Sequence, residues 1–167
     1  DVVLFAAADC TGHGVPGAMV SVVCNNALNQ SVKEFGITQP SLILDKTKEL
    51  VIEAFAESTE MVKDGMDIAL CAINLKKQII QFSGANNPVY IVRNKELIEL
   101  KGDKQPVGNH YKEKPFEVHQ YQLEKGDTVY TFTDGYADQF GGLKGKKFMY
   151  KKFKELLINI SSESIET

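Results

Sequence analysis

The stretch MDIALCAINLKKQIIQFS, residues 66–83, decides the fold. Two apolar or alternating runs, 66–75 and 79–83, flank Lys76-Lys77-Gln78, which is the spacing of a short β-hairpin. Upstream of it the apolar residues return at helical spacing. Val22, Val23, Ala27, Leu28 and Val32 predict a helix that starts near Pro16 and stops at Gly36. A second helix, N-capped by Ser41 and carrying Leu42, Leu44, Leu50, Val51, Ile52, Ala54 and Phe55, is predicted to run to about Val62. The run VVLFAAA, residues 2–8, reads as a strand buried on both faces. Downstream come a second hairpin, 88–93 and 96–101 around Asn94-Lys95, then a looser loop over 102–114. Alternating runs 116–122 and 127–133 lie either side of Glu124-Lys125-Gly126. A glycine-rich loop, 135–145, leads into a final amphipathic helix, 150–160. Two early helices, a series of antiparallel strands and a closing helix make an α+β pattern rather than a βαβ repeat. No internal repeat or linker divides the chain, and at roughly 100–200 residues per domain residues 1–167 form a single domain.

Hydrophobic residues make up 43% of the chain and charged residues 25%, so a disordered, collagen-like or low-complexity chain is excluded. A formal net charge of −3 supplies no basic field, and no nucleic-acid partner is expected. Cys10, Cys24 and Cys71 are odd in number and form no CxxC pair, which fits neither a disulfide framework nor a zinc site and favours a reducing, cytoplasmic setting. No stretch reaches the 18 or so consecutive apolar residues of a membrane span, and no basic leader precedes the first strand.

Two acidic positions carry the chemistry. Asp9, in Asp9-Cys10-Thr11-Gly12-His13-Gly14, leaves an apolar strand and enters glycines that let a ligand approach the backbone. The structural alternative is a tight turn in which Asp9 caps the helix. Asp134, in Thr133-Asp134-Gly135, likewise ends an apolar strand, with an Asx-turn as its alternative. If the two strands lie side by side, both carboxylates reach one edge of the sheet. Carboxylates without a Cys/His cluster favour Mg²⁺ or Mn²⁺ over zinc, and two such ions clamp a phosphoryl group for in-line attack by water. Metal-assisted phosphate ester hydrolysis is the reaction class indicated. His13 reads as a structural hydrogen-bonding residue. Asp64 and Asp67, before the strand, either reach the metal edge or cap a turn, the turn being the favoured reading, and His110 and His119 receive no function. Lys144, Lys146, Lys147, Lys151, Lys152 and Lys154 read as a solvated face.

ADCTGHGVPGAM (8–19), FSGANNPVYIVR (82–93) and FTDGYAD (132–138), in that order and spacing, resemble the metal-dependent protein phosphatases (PPM, type 2C-like) of the bacterial sporulation stage II E and RsbU-like serine phosphatase branch. The resemblance implies a four-layer αββα sandwich. It implies that Asp9 bridges two Mn²⁺ or Mg²⁺ ions, that the Cys10 main-chain carbonyl is a further ligand, and that Asp134 binds the second ion. Water would attack phosphorus directly, without a phospho-enzyme. Gly12, His13 and Asp138, with Gln139 beside it, would line the substrate groove.

The substrate implied is a phosphoserine on a bacterial regulatory protein of the anti-anti-sigma type, so the resemblance implies a hydrolase in signal transduction and sigma factor regulation. The implied partners are that phosphoprotein, an upstream sensor or receiver domain, and a second copy bound through the two early helices. The localisation expected is cytoplasmic, with tethering to a membrane left to segments outside these residues. The sequence departs from the branch in having Asn86-Asn87-Pro88 where a histidine-containing turn is usual. It also lacks the first and last metal aspartates, so a domain truncated at both ends, weakly active or inactive as a fragment, is expected. The alternative function is a non-catalytic partner-binding module of the same fold. A small-molecule phosphohydrolase ranks last, since GxxxxGK[ST] is absent.

Overall fold

The computed structural model of the chain describes residues 2–56, 65–111, 114–141 and 145–163. β1 (Val2–Cys10) leads into α1 (Gly14–Lys33) and α2 (Pro40–Phe55). The central hairpins are β2 (Gly65–Asn74) with β3 (Ile79–Ala85) and β4 (Val89–Arg93) with β5 (Glu96–Leu100). Then follow β6 (Val107–Gly108), β7 (His119–Gln122), β8 (Thr128–Thr131), β9 (Phe140–Gly141), β10 (Lys146–Lys147) and α3 (Met149–Ile160).

One sheet runs β1-β2-β3-β7, with β6 added to β2, and a second runs β5-β4-β8; β9 and β10 form a separate ribbon. Three apolar clusters separate four layers. Ile68 and Leu70 of β2 turn toward α1 and α2, meeting Val20, Cys24, Ile43, Leu44 and Val51. Their neighbours Ala69 and Cys71 turn the other way, to Ile80, Phe82, Val89 and Ile91 between the sheets. On the outer face of the second sheet Tyr90 meets Phe153 and Leu157 of α3. Period-two alternation along β2 and β4 thus divides each strand between two interfaces, and the result is the αββα sandwich. Burial in the middle pushes the Cys71 thiol up to about 12, consistent with an inert core cysteine.

The turns follow the predicted punctuation. Asn94 and Lys95 both take positive φ, 49° and 63°, as a two-residue hairpin of the type I′ hand requires. Gly36, at φ 66°, follows α1. Several boundaries differ from expectation. α1 starts two residues before Pro16, with His13 at the N-cap, and α2 is capped by Gln39 and opened by Pro40 rather than by Ser41. Its predicted extension toward Val62 lies outside the described residues, as do Asp64 and Lys144.

β1 is an edge strand whose residues are exposed or half-buried; an apolar run alone does not distinguish a central strand from an edge, and β1 pairs only with β2. The runs 116–122 and 127–133 shorten to β7 and β8, which join different sheets. Glu124-Lys125-Gly126 therefore passes the chain from one layer to the other. β6, β9 and β10 were too short to show a period and lie in segments predicted as loops. No helix among the described residues is long and apolar enough to cross a membrane.

Candidate active site

Asp9 stands one residue from the end of β1, where the chain must reverse into α1. The reversal is built around Thr11, whose hydroxyl donates to the Gly65 carbonyl at 2.8 Å and accepts from the Gly65 N–H at 2.9 Å. Gly12 adopts φ +90°, and the first turn of α1 packs so tightly on it that a Cβ on Gly17 would lie 2.7 Å from the Gly12 carbonyl carbon. The glycines therefore serve backbone approach within the turn. His13 occupies the N-cap and makes no side-chain cap bond, so Asp9 is not the helix cap. Its carboxylate is left exposed at the rim.

Asp134 reaches the same rim from the other sheet. β1 and β8 are not neighbours in one sheet, contrary to expectation; they belong to facing sheets, and the carboxylates meet across the open edge of the sandwich. Asp134 holds its proton more tightly than an ordinary carboxyl. Desolvation is the main cause, followed by the charge of Asp9, that of Asp138 and a hydrogen bond to Asp9, with the Lys147 ammonium pulling the other way. A turn in which the Asp138 N–H donates to the Asp134 carbonyl at 2.9 Å fixes the segment. Phe132 and the fully buried Ala137 anchor it to the α3 cluster.

Asp67 belongs to this group and not to a turn: it lies within β2, directly opposite Asp9 in the ladder. The Asn86 amide donates to its Oδ1 at 2.7 Å. Burial raises its pKa most, the Asn86 bond lowers it, and the charges of Asp9 and Asp134 raise it. The Asn86-Asn87 turn thus reaches the carboxylates through Asp67, and Asn86 takes the left-handed conformation, φ 58°, to do so. The signal that would have found Asp67 is register: in an antiparallel pair β1–β2 it is the residue opposite Asp9.

The lysines also differ from a simple solvated face. Lys147 donates to Asp138 Oδ2 at 2.8 Å, and Lys154 donates to Glu99 at 2.9 Å while lying over the Tyr90 ring. Of the other predicted site residues, Cys10 ends β1 half-buried, and Gly12 and His13 are exposed in the turn.

Asp9 and Asp134 are hard oxygen donors whose mutual repulsion a divalent cation relieves, so the residues present fit Mn²⁺ or Mg²⁺. Among the described residues no group of three or more His, Cys, Asp or Glu is arranged to hold a metal ion.

The αββα sandwich is the fold of phosphatase-type modules of the PP2C class. The chain belongs to the stage II sporulation protein E (SpoIIE) family, whose pattern matches residues 1–167. It is similar to the SiaA-PP2C domain of Pseudomonas aeruginosa, at 27% identity and TM-score 0.85, covering 98% of this chain and 63% of that one. It also resembles the RsbU and RsbW domains of Rv1364c from Mycobacterium tuberculosis, at 20% identity and TM-score 0.73, covering 97% and 43%. A third is the PP2C phosphatase domain with a fragment of the regulatory domain of SpoIIE from Bacillus subtilis, at 18% and 0.64, covering 96% and 49%. The chain spans between two fifths and two thirds of the length of these structures. Compared with curated proteins it has no match.

Proposed function

We propose that the chain is the catalytic core of a metal-dependent protein serine/threonine phosphatase that removes phosphate from phosphoserine on a bacterial regulatory protein of the anti-anti-sigma type. The observation that carries this reading is the approach of Asp9 and Asp134 from two different sheets, which makes sense as chemistry and not as packing. Asp9, Asp134 and the main-chain carbonyl of Cys10 would hold two Mn²⁺ or Mg²⁺ ions. When bound, such ions lower the pKa of water and offset charge on the phosphoryl oxygens. The chain's own residues do the rest. The Thr11–Gly65 bonds hold Asp9 in place, the turn over 134–138 presents the second carboxylate, and Gly12 and His13 leave the rim open to a polypeptide.

Family membership and the regulatory-domain content of similar structures support an effector role beside a sensor or receiver domain. The two early helices are the proposed surface for self-association, and a cytoplasmic setting accords with three thiols.

The test is phosphate release from a phosphoserine protein by the full-length parent with saturating Mn²⁺, abolished in Asp9→Asn and Asp134→Asn. No release from any phosphoserine substrate would sink the reading. A non-catalytic partner-binding module of the same fold is favoured by one observation, the absence of a closed ligand set among the described residues. Partner binding unchanged by Asp9→Asn, without hydrolysis, is its signature.

A further inference from the structure

The candidate active site is crowded with negative charge: Asp9, Asp67, Asp134 and Asp138 act on one another at one edge of the molecule. A phosphate monoester dianion arriving there meets repulsion that two divalent ions relieve only in part, so a cation beside the carboxylates has a defined task. Among the described residues that act on Asp134, Lys147 is the single cation, and its ammonium lies 2.8 Å from Asp138 Oδ2. We propose that Lys147 receives the phosphate of the phosphoserine substrate, with Asp138 as its resting counter-ion. This rests on the phosphatase reading above.

Three observations support the assignment. First, the Lys147–Asp138 pair, 2.8 Å long, is open to water, with side chains 40% and 45% exposed. Such a pair contributes little, and a dianion readily displaces a monoanion from it.

Second, the lysine is held in place. It pairs with Phe140 in the β9–β10 ribbon, and just beyond it the Phe148 N–H donates to the Gln139 carbonyl at 2.9 Å and the Met149 N–H to the Ala137 carbonyl at 2.8 Å. These bonds tie the ribbon's exit to the turn that carries Asp134. Met149 takes φ 72° to make the connection, a conformation that a side chain rarely adopts and that packing must impose.

Third, the surroundings suit a polypeptide and not a small ester. Tyr136, Phe140, Met149 and Tyr150 are exposed large side chains on the same turn, ribbon and helix start.

The test uses the full-length parent with Mn²⁺ and two probes, inorganic phosphate by calorimetry and a phosphoserine peptide by steady-state kinetics. Lys147→Ala is expected to weaken phosphate binding about tenfold and to raise KM by a similar factor with kcat within about twofold, the loss of one charge-assisted hydrogen bond to a substrate group. Lys147→Arg recovers most of the affinity, and Asp138→Asn, which releases the lysine, tightens phosphate binding. Lys147→Met keeps an unbranched side chain in place of the lysine, whose ammonium lies 5.8 Å from the Phe140 ring centroid, and replaces the alanine variant if circular dichroism shows that one to be misfolded. Unchanged phosphate affinity in the lysine variants overturns the assignment, as does an absence of phosphate binding by the unsubstituted chain. A chain that binds phosphate through Lys147 but hydrolyses no phosphoserine leaves the assignment standing and removes the phosphatase reading.

Discussion

Asp9 and Asp67 stand directly opposite one another in the antiparallel ladder of β1 and β2, so two carboxylates leave the same face of the sheet at its open end. The folded-state pKa of Asp67 lies above its ordinary 3.8, chiefly through burial. Between 3.8 and that raised value the native chain keeps a proton that the unfolded chain has released, so stability falls as pH rises across this window. Above the window the penalty is constant. Asp67→Asn is therefore expected to stabilise the metal-free chain at neutral pH by about 0.5 kcal/mol and to remove this part of the pH dependence. Urea unfolding at a series of pH values measures both, and a lower midpoint for the variant at neutral pH contradicts the argument.

Asn86 reaches Asp67 only because the backbone beneath its turn is bare. A Cβ on Gly102 would lie 2.6 Å from the Asn87 carbonyl oxygen and 2.9 Å from Gly84. Gly102→Ala must displace that turn and is expected to cost about 2 kcal/mol. Gly141, whose added Cβ would meet nothing within 4 Å among the described residues, provides the control: Gly141→Ala stays within about 0.5 kcal/mol. Equal midpoints for the two variants in denaturant would show that the crowding is absorbed.

Arg93, at the end of β4, donates to both carboxylate oxygens of Asp127, at 2.8 and 2.6 Å, and to the Gln122 carbonyl at 2.9 Å. It thereby ties the second sheet to the turn by which the chain leaves the first. The Arg93 guanidinium holds the Asp127 carboxyl below its ordinary 3.8. The stabilisation is present above 3.8 and is lost as pH falls through the depressed folded value. Arg93→Ala leaves a carboxylate that is 3% exposed without its partner, at an expected cost of about 3 kcal/mol at neutral pH. The difference between the variant and the parent chain should shrink in acid; a difference independent of pH would assign the effect to packing of the guanidinium over the Tyr121 ring.

The hairpins, the helices and the α+β order were legible because each long element carries its own period, as Ile68, Ala69, Leu70 and Cys71 do in alternating between two cores. The motifs containing Asp9 and Asp134 were legible as motifs. Their meeting point was not. Sheet membership is a long-range property, and nothing local to 127–133 says that β8 joins the sheet opposite β1. For Asp67 two readings, the metal edge and a turn, stay open in the sequence until register sets it against Asp9. The ribbon carrying Lys147 has two residues per strand, below the length at which alternation is a signal.

The aromatic cluster under Asp134 links stability to the site. Phe132 lies two residues before the carboxylate, its ring 4.6 Å from Tyr90 and 4.9 Å, edge-on, from Phe153 of α3. Ala137, fully buried in the same cluster, lies three residues after it. Asp134 is thus held between two anchors while remaining exposed itself. Phe153→Ala removes the shared floor and is expected to cost about 3–4 kcal/mol, whereas Phe153→Leu, closer in volume, costs about 1–1.5 kcal/mol. If the anchors position the carboxylate, Mn²⁺ affinity measured well below the unfolding temperature falls in the order of the parent chain, Phe153→Leu, Phe153→Ala. A loss of stability without any loss of Mn²⁺ affinity would show that the Asp134 turn keeps its geometry through its own Asp138–Asp134 hydrogen bond alone.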